Sequence, residues 1–135
     1  ARKNILVVDD EKSQREILEM ILSEEGYDVT TAASGEAAIK FAKDRRFDLA
    51  LTDLKMTGMD GLAVMKTLRT KPETQPLPVL MLTAMTDEPS TRAGFEAGVT
   101  DYVTKPFSIP QLTARAALAS RELGFHNRVT AIGDD

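Results

Sequence analysis

Apolar residues are distributed along the chain in two alternating rhythms. Short runs rich in β-branched or other apolar residues recur at Ile5 to Val8, Val29 to Ala33, Leu49 to Leu51, Val79 to Leu82 and Tyr102 to Val103, and such runs predict strands. Between them the spacing becomes helical. Ile17, Leu18, Ile21 and Leu22 are expected on one helix face, with Gly26 after Glu24 and Glu25 as a left-handed stop. Ser34 suits the N-cap of a helix through Ala37, Ala38, Phe41 and Ala42. Asp60 suits another that carries Leu62, Met65 and Leu68 and stops before Pro72. A fourth helix is expected from about Asp87 through Ala93 and Ala97. Ser108 and Gln111 form a capping-box pattern for a last helix bearing Leu112, Ala116, Ala119 and Leu123. Gly124 breaks that helix, and FHNRVTAIGDD reads as a frayed end or the start of a linker.

Strands alternating with helices of this length predict an α/β fold, a parallel sheet covered by helices on both faces. Crossovers in such a sheet are right-handed, and its functional crevice lies outside the carboxyl ends of the strands. The polar residues that end the runs fall together there. Asp9 and Asp10 follow the first strand, Asp53 ends the third, Thr83 ends the fourth and Lys105 follows the fifth.

Composition narrows the chemistry. At 135 residues, 42% hydrophobic and 28% charged, the chain suits one globular domain with a short appendage. It has no cysteine, which excludes disulfides and thiolate metal sites. No apolar run reaches the roughly 18 to 20 residues of a membrane span, and the N-terminus is unlike a signal peptide, so a cytoplasmic protein without membrane contact is expected. A net charge of −4 argues against direct nucleic-acid binding.

One aspartate at a strand end can simply cap the following loop. Three converging on one crevice form a hard-oxygen cluster that suits Mg²⁺, with Mn²⁺ as the alternative, rather than zinc. Adjacent carboxylates repel, and a divalent cation would offset that repulsion. Lys105 can pair with a carboxylate or bind phosphate, and the Thr83 hydroxyl can donate to an oxyanion. A metal, a lysine, a hydroxyl and a carboxylate nucleophile together resemble a phosphoryl-transfer site.

The stretches VVDDEKSQR at 7–15, LTDLKMTGMDG at 51–61, LMLTA at 80–84 and DYVTKPF at 101–107 resemble, as an ordered set, the receiver domain of two-component response regulators. The resemblance spans about residues 3 to 122. It implies a CheY-like, flavodoxin-like (βα)5 three-layer sandwich of strand order 2-1-3-4-5. The implied domains are a receiver at residues 1–122 and a C-terminal extension or linker at 123–135, leading to an output domain. Asp53 would be the phosphoacceptor, charged from the phosphohistidine of a sensor histidine kinase or from a phosphotransfer protein. Asp10, Asp53 and the Lys55 carbonyl would ligate Mg²⁺, with Asp9 acting mainly through a water. Thr83 and Lys105 would hold the phosphoryl oxygens, and the Lys105–Pro106 bond would be cis. Such a domain is a signalling phosphoacceptor that catalyses only its own phosphorylation and dephosphorylation.

The resemblance also implies a switch in which Thr83 moves toward the phosphoryl group and Tyr102 turns inward. An amphipathic strand alone would instead leave the Tyr102 hydroxyl in water. Thr57 stands where many receivers have proline, and the resemblance implies that Lys55 and Met85, two residues beyond Asp53 and Thr83, flank the path of a hydrolytic water and tune the lifetime of the acyl phosphate. The fourth helix, fifth strand and fifth helix form the expected output face, where Arg92, Glu96, Arg115 and Arg121 could make reciprocal salt bridges in a homodimer. Three other readings fit less well. An aspartyl phosphatase needs a second acid two residues after the nucleophile, where Lys55 stands. A nucleotide or flavin module wants glycines in the first loop, which is acidic here. A hydrolase triad needs a histidine near the site, and His126 lies in the tail.

Overall fold

The structure, a computed structural model, describes residues 2–84 and 88–120. Strands and helices alternate as β1 (Asn4–Val8), α1 (Lys12–Glu24), β2 (Asp28–Ala32), α2 (Gly35–Asp44), β3 (Leu49–Asp53), α3 (Gly61–Arg69), β4 (Val79–Thr83), α4 (Glu88–Ala97) and β5 (Asp101–Thr104). A fifth helix, α5, covers residues 109–120. All strands are parallel and lie in the order β2-β1-β3-β4-β5, as expected of a flavodoxin-like sheet. Met85, Asp87, Arg121, Leu123, Gly124, Phe125, His126 and Val129 lie outside the described residues, as does the extension expected at 123–135.

The pleat sends successive side chains of each strand to opposite faces, and the core divides accordingly. Ile5, Val7, Leu49, Leu51, Leu80, Leu82 and Val103 face Leu18, Ile21 and Leu22 of α1 and Leu112, Ala116 and Ala119 of α5. Leu6, Val8, Ala50, Val79, Met81 and Tyr102 face Ala38 and Ala42 of α2 and Val64, Met65 and Leu68 of α3. Burying each of these larger side chains contributes about 1.5–3 kcal/mol. Central strands buried on both sides need continuous apolar runs, which is why β1, β3 and β4 stand out in the sequence.

Ile17 is a correction. It is 44% exposed, whereas Leu18, Ile21 and Leu22 are buried. At about 100° per residue Leu18, Ile21 and Leu22 share one arc of the helix facing the sheet, and Ile17 lies about 40° beyond its edge.

The helix starts follow the sequence closely. The Ser34, Asp60 and Ser108 side chains accept from the Ala37, Ala63 and Gln111 amides at 3.1, 2.8 and 3.0 Å. Gly26 takes φ +95° after α1, a conformation costly for any residue with a Cβ. Among the described residues no helix is long and apolar enough to cross a membrane.

Candidate functional site

The parallel register aligns the strand ends that carry the chemistry. Val8 pairs with Thr52, so the next step along β1 and β3 brings Asp9 beside Asp53. Asp53 in turn pairs with Leu82 of β4, and Thr83 pairs with Thr104, the residue before Lys105. The Lys105 amide donates to the Thr83 carbonyl at 2.7 Å, which extends the ladder one step beyond β5. The Lys105–Pro106 peptide bond is cis.

Carboxylate oxygens of Asp9, Asp10 and Asp53 all lie within 4.8 Å of one another. Asp9 and Asp53 are buried, and Asp10 stands exposed at the mouth. The Lys105 ammonium donates to Asp53 Oδ2 at 2.8 Å and neutralises one carboxylate of the three. Thr83 is buried at the end of β4 on the other side of Asp53 from β1. Gly61 begins α3 directly beneath: a Cβ there would stand 2.3 Å from the Asp53 carbonyl oxygen. Only glycine lets the helix start this close to the acceptor.

The environments of Asp9 and Asp10 push their carboxyl groups in opposite directions. Burial raises Asp9 above the ordinary carboxylate value; the Glu11 amide opposes this at 3.0 Å, and the Asp53 charge adds to it. Asp10 is lowered chiefly by the Thr57 amide, which donates to its Oδ2 at 2.9 Å. The Arg15 guanidinium donates to the Asp9 carbonyl at 2.9 Å and fixes the first loop from α1.

A divalent cation fits this donor set on one observation in particular. Asp9 Oδ2 is buried without a hydrogen-bond partner. A buried carboxylate oxygen with nothing to satisfy it is costly, and here it shares a cluster with the oxygens of two more carboxylates.

Tyr102 is turned inward. It is only 9% exposed, its ring meets Phe95 of α4 edge-on at 5.1 Å, and its hydroxyl lies over Gly94. A simple amphipathic strand would have left that hydroxyl in water. Gly94 is the missing signal, because only a residue without a Cβ leaves room for the ring. On the outer side Arg115 pairs with Asp101 at 2.9 Å and donates to the Tyr102 carbonyl at 2.8 Å. Arg92 and Glu96 are exposed on α4, and Lys55 is exposed in the loop after Asp53.

Fold and crevice together define a CheY-like α/β domain, and comparison with known proteins specifies it further. A family model described as the response regulator receiver domain matches residues 5–117. The curated protein "Probable transcriptional regulator ycf27" from Porphyridium aerugineum is 44% identical over 114 residues, which cover 84% of this chain and 46% of that protein. The chain therefore spans about half the length of this relative. The chemotaxis protein CheY4 of Vibrio cholerae superposes with TM-score 0.84 at 33% identity, covering 88% of this chain and 99% of that one. The receiver domain of the sensor histidine kinase PA1611 from Pseudomonas aeruginosa, solved with a magnesium ion coordinated in its active site cleft, superposes with TM-score 0.81 at 28% identity; 89% of this chain and 98% of that one are covered. The chain belongs to the response regulator receiver domain family. Receivers of this family work in two-component systems, whose general partner is a histidine kinase.

Proposed function

We propose that the chain is a phosphoacceptor: Asp53 takes a phosphoryl group from the phosphohistidine of a sensor histidine kinase or phosphotransfer protein. The observation that carries this reading is the placement of Asp53. It is a buried carboxylate 2.8 Å from the Lys105 ammonium and clustered with two further carboxylates. Asp53 Oδ attacks phosphorus as the P–N bond to imidazole breaks, and the imidazole nitrogen leaves with the bonding pair. No general base is needed, because a carboxylate nucleophile, unlike a hydroxyl, has no proton to give up as it attacks. Catalysis then rests on positioning and charge. Lys105 and the Thr83 hydroxyl hold the transferred oxygens, while β1, β3 and the Gly61 contact hold Asp53 still.

Mg²⁺ or Mn²⁺ would be held by Asp9, Asp10, Asp53 and the Lys55 carbonyl, and it would supply neutralisation of charge on the phosphoryl oxygens. The solved PA1611 receiver, with magnesium in its cleft, supports this reading.

Phosphorylation shifts an equilibrium between two states of Thr83 and Tyr102 and alters the face formed by α4, β5 and α5, where a homodimer can form. The domain acts in the cytoplasm as a signalling acceptor, not as an enzyme with separate substrates, and binds neither nucleic acid nor membrane itself. Residues 1–122 are the receiver and 123–135 lead toward an output region, in keeping with the greater length of the transcriptional-regulator relative.

Intact mass after incubation with acetyl phosphate tests the proposal. The expected result is one phosphoryl adduct that requires Mg²⁺ and is absent from Asp53→Asn. An unmodified chain that acquires no adduct and binds no beryllofluoride would overturn it.

A further inference from the structure

The loop between β3 and α3 leaves Asp53 and returns within residues 54–60. Backbone hydrogen bonds close both of its ends: Leu54 N–H donates to Leu82 O at 2.8 Å and Gly61 N–H to Leu54 O at 2.9 Å. Its middle is tethered differently. Met59 packs tightly against Gly35 at the start of α2, and Gly58 turns the backbone at φ +78°. Between Lys55 and this anchored turn, Thr57 N–H reaches across the crevice to Asp10 Oδ2 at 2.9 Å. That bond joins the loop after the acceptor to the loop after β1. A proline at this position would have no N–H to donate.

We propose that Thr57 is a positioning residue of the acidic site: its main-chain N–H orients the Asp10 carboxylate and ties the loop bearing Lys55 to the loop bearing Asp9 and Asp10. The inference rests on the Mg²⁺-dependent phosphoacceptor reading. Asp10 needs such a partner because it is exposed, and an exposed carboxylate otherwise samples several rotamers. The donor is well placed for the task, because its backbone is fixed on the far side by Met59 against Gly35. An ionised carboxylate offers about four lone-pair sites. The amide occupies one of them, on Oδ2. A hydrogen bond to an ionised acceptor also draws off part of its charge, so Asp10 can approach Asp9 and Asp53 at lower cost. Outer partners that orient ligating carboxylates change metal affinity by about 10–100-fold.

The test compares Mg²⁺ affinity, by calorimetry or NMR titration of the whole chain, among the unmodified protein, Thr57→Ala and Thr57→Pro. Alanine keeps the N–H and deletes only the hydroxyl, a lesser partner of Asp10 than the amide, whereas proline removes the N–H. Affinity within about twofold of the unmodified protein is expected for alanine, and a loss of about tenfold for proline. Proline also restricts the preceding residue, so an amide-to-ester replacement at residue 57, which deletes the donor alone, decides the matter and should show the same loss. In the metal-free protein the Thr57 amide should exchange slowly with solvent deuterium, and Asp10→Ala should remove that protection. Unchanged Mg²⁺ affinity in the ester, or an unprotected Thr57 amide in the unmodified protein, would overturn the role of Thr57. The phosphoacceptor reading would then stand, provided the unmodified chain still binds Mg²⁺ and accepts a phosphoryl group. An unmodified chain that binds no Mg²⁺ removes both.

Discussion

Among the described residues, Asp9 is held by the fold at a particular disadvantage. It is fully buried, lies beside two carboxylates, and leaves Oδ2 unsatisfied. Its raised carboxyl value fixes the sign of a pH effect. The folded chain keeps this proton at pH values where the unfolded chain, with an ordinary carboxyl near about 3.9, has lost it. The stability Asp9 contributes is therefore full below the unfolded value and is lost as pH rises through the folded one. Above its raised folded value the metal-free protein is left with a buried, poorly compensated charge. Asp9→Asn is expected to raise the melting midpoint of the metal-free protein by on the order of 5 °C at pH 7. The gain should shrink as the pH is lowered toward 4, and the variant should be stabilised less by Mg²⁺ than the unmodified chain. Thermal scans in chelator and in Mg²⁺, at several pH values, check all three outcomes. Much of this was readable from the adjacent aspartates after a strand, which signalled a charge conflict needing a cation. The Thr57 contact was not, because it joins backbone to side chain across 47 positions and no periodicity encodes it.

Between elements, the contact of β5 with α4 is governed by one missing atom. A Cβ on Gly94 would stand 1.8 Å from the Tyr102 hydroxyl oxygen, so Gly94→Ala must drive the ring from its slot. Burial raises the Tyr102 hydroxyl above its ordinary value. The folded chain thus keeps that proton when the unfolded chain has lost it, and stability falls as pH rises past the ordinary value of about 10. In a Tyr27→Phe background, ultraviolet titration should show Tyr102 ionising above that value. Adding Gly94→Ala should return it toward about 10. An unchanged titration would mean that the ring stays buried despite the methyl group. Sequence periodicity placed Tyr102 on a strand but not on the inner face, since the deciding residue lies on another element. Likewise β2 was legible only as a faint run. It is an edge strand, half-buried through Val29, Thr30 and Thr31, and its register begins one residue earlier than the apolar run suggests, at Asp28 opposite Asn4. The helix caps were read directly, because Ser34, Asp60 and Ser108 act on amides three residues away.

For the molecule as a whole, the sheet sets both stability and chemistry. Leu80 is wholly buried at the middle of the central region, and Leu80→Ala is expected to cost about 2–5 kcal/mol in denaturant unfolding. The folded fraction should still accept a phosphoryl group at Asp53, because Leu80 sits three residues before Thr83 on β4, packed among apolar side chains such as Leu49 and Leu51. The overall architecture was legible because five apolar runs separated by amphipathic helices admit few parallel arrangements. The side of the sheet on which each helix packs follows from the strand order only when right-handed crossovers are added, and the two core clusters show it directly. Those clusters divide alternate residues of β1, with Ile5 and Val7 on one face and Leu6 and Val8 on the other, and Asp9 follows without a spacer. Such a strand acts as a ruler. One residue added to it or removed from it would exchange both cores at once and carry the carboxylates away from Asp53. The chain can therefore vary β1 by replacing letters but not by changing its length.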